Sequence, residues 1–263
     1  MFELIKKILT GKEKVTIERQ LSRACYDLDK QLIKDLLNQG ADPNKYPCLI
    51  SVVYHYFFVV WFSYKKSSKS RKVYDSEEEI IYLNEHLEII DLLLQKDANI
   101  NLLHYWGEGY MTPLHHAIGE IGRKTVDITQ TEDTSIHKDF VDYWETQFDC
   151  YLNLVKHLIK KGANVDIPKV NKYAAPESPF DDEVKHIEKF TTTLKLAELA
   201  LNSALHPKFA HSQIVAGFTL VGTYKDPKKA MQKKVEVCNE IISLIKKNNK
   251  ADINSIQKLI KYA

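Results

Sequence analysis

The sequence predicts an all-α fold: a solenoid of about four irregular helical repeats with long helical insertions and short β-hairpin-like fingers between units. Three observations predict it. First, one closing motif recurs as Gly40-Ala41-Asp42-Pro43-Asn44, Asp97-Ala98-Asn99-Ile100-Asn101, Gly162-Ala163-Asn164-Val165-Asp166 and Lys250-Ala251-Asp252-Ile253-Asn254. Second, apolar residues at helical spacing run into each closing, such as Ile33, Leu36 and Leu37 before the first and Leu154, Val155, Leu158 and Ile159 before the third. Repetition of this kind marks stacked units, each too small to bury its apolar face alone. Third, Thr112-Pro113-Leu114-His115-His116-Ala117 reads as a helix opening. Pro113 presets φ for a first turn, Thr112 is placed to cap it, and Leu114 and Ala117 share one face.

The elements follow in chain order. Met1 to Leu9 alternates apolar residues with lysine and is expected to form a capping helix within 1–15. It lacks the continuous apolar stretch and small-residue cleavage site of a secretory leader. In the first unit, about 16–44, Leu21 to Cys25 form the inner helix, Leu28 and Asp29 the turn, and Ile33 to Leu37 the second helix. Gly40 suits the left-handed residue that ends a helix. The second unit, about 45–101, opens near Pro47 with a helix through Phe62 and an insert from Ser63 to about Glu79. The third, about 102–166, has its first helix from Pro113 to about Ile121 and an insert to about Gln147. The fourth, about 167–254, has two candidate openings, Ser178-Pro179-Phe180 and Thr193-Leu194-Lys195-Leu196-Ala197, and an insert from about Ser203 to Lys233. Ile256, Leu259 and Ile260 at helical spacing predict a capping helix over 255–263.

From about Thr16 onward the chain resembles the ankyrin-repeat family. The first unit is similar to that family's A-x-x-G-x-x-x-I-V-x-x-L-L-x-x-G-A-D-x-N pattern, with Leu28 in place of the turn glycine, and Thr112 to Ala117 match its T-P-L-H-x-A opening. The period departs from the family. A regular unit is about 33 residues, and closings at 40, 97, 162 and 250 lie much further apart. Insertions between the two helices of a unit account for the excess. The resemblance implies an architectural role for His115, hydrogen-bonding backbone in the adjacent turn. It also implies non-enzymatic protein recognition on a concave face of fingers and inner helices. The partner-binding residues expected there are Tyr46 in the first connector, His104, Tyr105, Trp106 and Tyr110 in the second, and Lys172 and Tyr173 in the third. Large insertions and a Lys/Asn/Ile-rich composition are similar to ankyrin effectors that intracellular bacteria deliver into host cells. That likeness implies a cytoplasmic place of action, in the producing cell or in a host.

Composition narrows the remaining classes. A net charge of +2 demands neither nucleic acid nor an anionic membrane. Cys25, Cys48, Cys150 and Cys238 show no paired-ligand spacing, so reduced, buried thiols are expected and no metal site. The sequence holds no H-E-x-x-H, G-x-S-x-G or P-loop motif. No catalytic residue, cofactor or metal is therefore expected, and the protein is expected to be a monomer. An enzyme with a pocket built by the insertions is the alternative. The apolar run Leu49 to Phe62 is too short to span a bilayer and reads as a buried helix with one wet edge at Tyr54, His55, Tyr56 and Trp61. The N-terminal helix together with the basic run Lys65 to Lys72 also admits a membrane-surface module. Asp181-Asp182-Glu183 near His186 and Glu188 reads as a helix start answering the helix dipole rather than as metal ligands.

Overall fold

The first helix, α1 (Ile17–Asp27), starts where Thr16 Oγ1 accepts the Arg19 N–H at 3.3 Å. Leu21, Ala24 and Cys25 form its buried face. The helix stops at Leu28, which takes the left-handed conformation (φ 57°, ψ 31°) in the place where a glycine was expected. A leucine there costs about 1–2 kcal/mol. Asp29 Oδ1 then accepts the Leu32 N–H at 2.9 Å and opens α2 (Lys30–Asn38).

This computed structural model describes residues 16–56, 76–106, 109–126, 143–171, 190–205, 220–222 and 227–249. The two capping segments, the basic run 65–72, the acidic run 181–183 with His186 and Glu188, the candidate opening 178–180 and the closing at 250–254 lie outside the described residues.

Three closings share one geometry. Gly40 (φ 91°), Asp97 (φ 63°) and Gly162 (φ 97°) are all left-handed. The alanine after each donates its N–H back to a helix carbonyl: Ala41 to Leu36 O, Ala98 to Leu93 O and Ala163 to Leu158 O, at 3.1, 3.1 and 3.0 Å. These bonds satisfy carbonyls that a helix end leaves unpaired. The first closing is also tied to the second, and the second to the third. Asn44 receives the Asn99 N–H on Oδ1 (2.6 Å) and donates from Nδ2 to Asp97 O (2.9 Å). Asn101 repeats both bonds on Asn164 N–H (2.7 Å) and Gly162 O (3.1 Å).

The described residues are mostly helical. Residues 48–56 form α3, followed by α4 (Ser76–Gln95), α5 (Pro113–Arg123), α6 (Tyr143–Lys160), α7 (Thr193–Leu205) and α8 (Pro227–Asn248). One layer runs α4–α6–α8, and α5 packs on α7 beside it; α1 packs on α2. A single apolar cluster joins Leu21 at one end to Ile245 at the other, through Ile89, Leu114 and Leu154. In α3, Leu49, Ile50, Val52, Val53 and Tyr56 are buried, and the Tyr56 hydroxyl donates to Cys150 O at 2.9 Å. The rest of the apolar run, 57–62, lies outside the described residues. Among the described residues no helix is long and apolar enough to cross a membrane.

Insert boundaries differ from expectation. α4 begins at Ser76, before the boundary expected at Glu79, and α6 at Tyr143 rather than after Gln147. α7 reaches Leu205 and α8 begins at Pro227, so less chain separates them than the expected Ser203 to Lys233. Apolar periodicity cannot see a polar first turn, although acidic residues and proline favour that position. Of the two candidate openings of the fourth unit, a helix begins at Thr193. Its cap is Thr192, whose Oγ1 accepts the Lys195 N–H at 3.1 Å.

Strands complete the picture. β1 (His104–Trp106), β2 (Gly109–Met111), β4 (Lys169–Asn171) and β5 (Phe190–Thr191) form one antiparallel sheet in the order β1-β2-β4-β5. β1 and β2 pair antiparallel, as expected of the second finger, and β4 and β5 extend that pair into the sheet. A second pair was not expected: β3 (Lys124–Val126), directly after α5, runs parallel to β6 (Leu220–Gly222). Strands of three residues are too short to carry a period-two signal.

Candidate functional site

The sheet hangs on the N-terminal end of α5. Thr112, between β2 and α5, donates its backbone N–H to His115 Nδ1 at 3.1 Å. That leaves the proton on Nε2, which donates to Ile167 O at 2.8 Å and lies 3.0 Å from Thr193 Oγ1. Burial pushes this imidazole down to about 4, with the Ile167 carbonyl opposing and Lys169 assisting. His115 is thus neutral at pH 7 and fixes the residues just before β4 and at the start of α7. It occupies the structural place expected for it.

Register aligns a row of side chains on one sheet face. Tyr105 pairs with Tyr110, Tyr110 with Val170, and Val170 with Phe190. Alternation along the strands puts Tyr105, Tyr110 and Val170 on one side. Tyr105 is 42% exposed and Tyr110 45%, and their rings meet edge-on at 5.6 Å. The other side is turned inward: Met111, Lys169 and Thr191 are buried.

Trp106 points elsewhere. It is half-buried, with its ring 5.5 Å from Tyr54 and 5.9 Å from His116. Tyr54 in turn lies 5.8 Å from His116 and stacks on Tyr26 at 6.5 Å. Tyr26 meets His55 edge-on at 5.2 Å and carries the Arg23 guanidinium 5.7 Å over its ring. A band of aromatic and imidazole rings therefore runs from α1 across α3 to the finger and α5. Burial lowers the proton affinity of His55, against the pull of Asp27, and that of His104.

The expected site residues divide accordingly. Tyr105 and Tyr110 are exposed together; His104 and Trp106 flank them half-buried on the opposite sheet side. Tyr46 is half-buried against the apolar cluster. Lys172 and Tyr173 lie outside the described residues. The sequence reading missed Tyr26 and His116 as parts of the band. The wet edge expected at Tyr54, His55, Tyr56 and Trp61 was the available signal, although Tyr56 is buried and Trp61 lies outside the described residues.

Elsewhere, Asp91 on α4 accepts from His157 on α6 and from Lys161 in the turn just after it, both at 2.8 Å. Burial raises this carboxyl, but the two donors outweigh it and hold it below its ordinary range. All four cysteines are free. The Cys25 thiol is raised by its hydrogen bond with Cys48 and by burial. Among the described residues no group of three or more metal-ligating side chains comes together.

No family model, curated protein or solved structure matches the chain.

Proposed function

We propose that the chain is an ankyrin-type repeat array that binds a partner protein through its finger sheet and the adjoining inner helices, without catalysing a reaction. The observation that carries the binding reading is the Tyr105–Tyr110 pair. Two tyrosines stand exposed on a hairpin that is braced from behind by Trp106 on Tyr54 and His116. Rigid, exposed aromatic side chains give large contact area at low entropic cost, which is why they dominate interface hot spots. The repeat reading draws support from the three alike closings and from the Asn44 and Asn101 bridges between them. On the same reading the protein acts as a monomer in a cytoplasm, either that of the producing cell or, as a delivered effector, that of a host.

The test is affinity capture from cell lysate, read by mass spectrometry. Wild type and a Leu32→Ser control, altered at an exposed leucine on α2, are expected to retain the same protein. A Tyr105→Ser/Tyr110→Ser variant is expected to lose it. Equal capture by all three would sink the assignment to this face.

A further inference from the structure

The C-terminal end of α5 holds a lysine that the binding reading does not use. Lys234, on α8, has no exposed surface. Its ammonium donates to Ser203 Oγ on α7 at 3.0 Å and to Gly122 O on α5 at 3.3 Å. The Ser203 proton lies between the carbonyls of Ala200 (2.7 Å) and Gly122 (3.0 Å). Gly122 belongs to the last turn of α5, where carbonyls have no partner within the helix and a cation meets the negative end of the dipole. Two residues later the chain becomes β3, which packs against α5, α7 and α8 and pairs with β6. Cys238, one turn along α8, is pushed up to about 11 chiefly by burial and stays neutral. A buried ammonium is a costly choice where an apolar residue would fill the space.

We infer that Lys234 is a positioning residue: by joining the last turn of α5 to α7 and α8, it fixes where the β3–β6 strand pair leaves the helical array. An apolar side chain of the same length would fill the cavity but give the Gly122 carbonyl no direction. The strand pair would then lose its single orientation while the helices stayed packed. More than ninety residues separate β3 from β6 in sequence, so their parallel pairing depends on how β3 leaves α5 at the Gly122 end.

The experiment is amide hydrogen exchange on the full chain, comparing wild type with Lys234→Met. The expected result is exchange at least tenfold faster at Thr125 and Val221, with the amides of α6 unchanged and the melting temperature equal or higher. Unchanged exchange in the strands would overturn the inference, because the lysine would then be only a tolerated filler. If Lys234→Met fails to fold, Ser203→Ala decides. It removes one acceptor and leaves Gly122, so faster exchange confined to the strands supports the tether. Exchange that is unaltered, or raised equally in helices and strands, overturns it.

Discussion

The two ends of α5 solve the same problem in different ways. Each joins a helix to a small sheet, and each uses one fully buried basic side chain. At the N-terminal end His115 is neutral and spans Thr112 N–H and Ile167 O, holding the finger sheet. At the C-terminal end Lys234 is a cation on Gly122 O and Ser203 Oγ, beside the β3–β6 pair. An imidazole with one donor and one acceptor satisfies two backbone groups without carrying a charge. An ammonium has only donors, so it suits a helix C-terminus and bears the larger desolvation cost.

Removing the neutral bridge is expected to have the largest effect. His115→Leu leaves the Thr112 N–H and the Ile167 carbonyl without the ring, although Thr193 Oγ1 still reaches Ile167 O at 3.3 Å. At ~1–3 kcal/mol per buried unsatisfied group, the expected loss is about 3 kcal/mol. A denaturant midpoint that moves by only a small fraction of this would mean that water or Thr193 replaces the ring.

Titration separates the two ends. The folded His115 titrates near 4 against an ordinary 6.5. Between those values the unfolded chain binds the proton and the folded chain does not. Stability therefore falls as pH drops through that window, by up to roughly 3 kcal/mol at 1.36 per unit. Lys234 is pushed down to about 8 from 10.5, mainly by burial. Between 8 and 10.5 the unfolded chain again binds the extra proton, so here stability rises with pH, by a few kcal/mol at most. Unfolding followed against pH in wild type, His115→Gln and Lys234→Met checks both. Each variant is expected to flatten one limb and spare the other, and a variant that flattens neither limb would remove that end from the comparison.

How much of this could be read beforehand also differs between the ends. Thr112 to Ala117 are contiguous, so the Thr112–His115 half of the bridge was legible as a local motif, though its partners Ile167 and Thr193 are distant in sequence; the closings around Gly40, Asp97 and Gly162 were legible too. Lys234 lies in Lys233-Lys234-Val235-Glu236, which reads as a solvated stretch of helix. Its burial depends on Gly122 and Ser203, distant in sequence, and no pattern near residue 234 announces them. The ring band falls between these cases. Tyr105, Trp106 and Tyr110 stood out beside glycines, but the sorting of exposed tyrosines from a braced tryptophan follows from strand alternation across a hairpin of three-residue strands. Tyr26 sits on α1, far from that hairpin in sequence, and only tertiary packing brings it to Tyr54.

A smaller effect is expected at Trp106, which the sequence offered as the central anchor. Its ring contacts with Tyr54 and His116 make it part of the bracing at the neutral end of α5. At ~0.5–1.5 kcal/mol per aromatic pair, Trp106→Ala is expected to cost about 1–2 kcal/mol of stability. A double-mutant cycle with Tyr54→Ala measures the shared part. Additive losses would show that the indole does not brace the finger through Tyr54.

The exposed tyrosines give the smallest stability effect and the sharpest functional one. Tyr105 and Tyr110 touch each other across the hairpin but lie on the solvent side of the sheet. Replacing both with serine removes one edge-to-face pair and little buried area, so the melting temperature is expected to shift by the equivalent of ~1 kcal/mol or less. If they anchor a partner, each contributes at the scale of a hot-spot residue, ~2 kcal/mol, or roughly thirtyfold in affinity. Trp106→Ala is expected to show the reverse balance: a clear stability loss and a weaker effect on capture, transmitted through a loosened hairpin. The two variants therefore distinguish an anchor from its support. Should Tyr105→Ser/Tyr110→Ser bind as wild type does while Trp106→Ala does not, the contact surface is the ring band of Tyr26, Tyr54 and Trp106 on the inner helices. The tyrosine row would then be the outer skin of the sheet rather than its binding face.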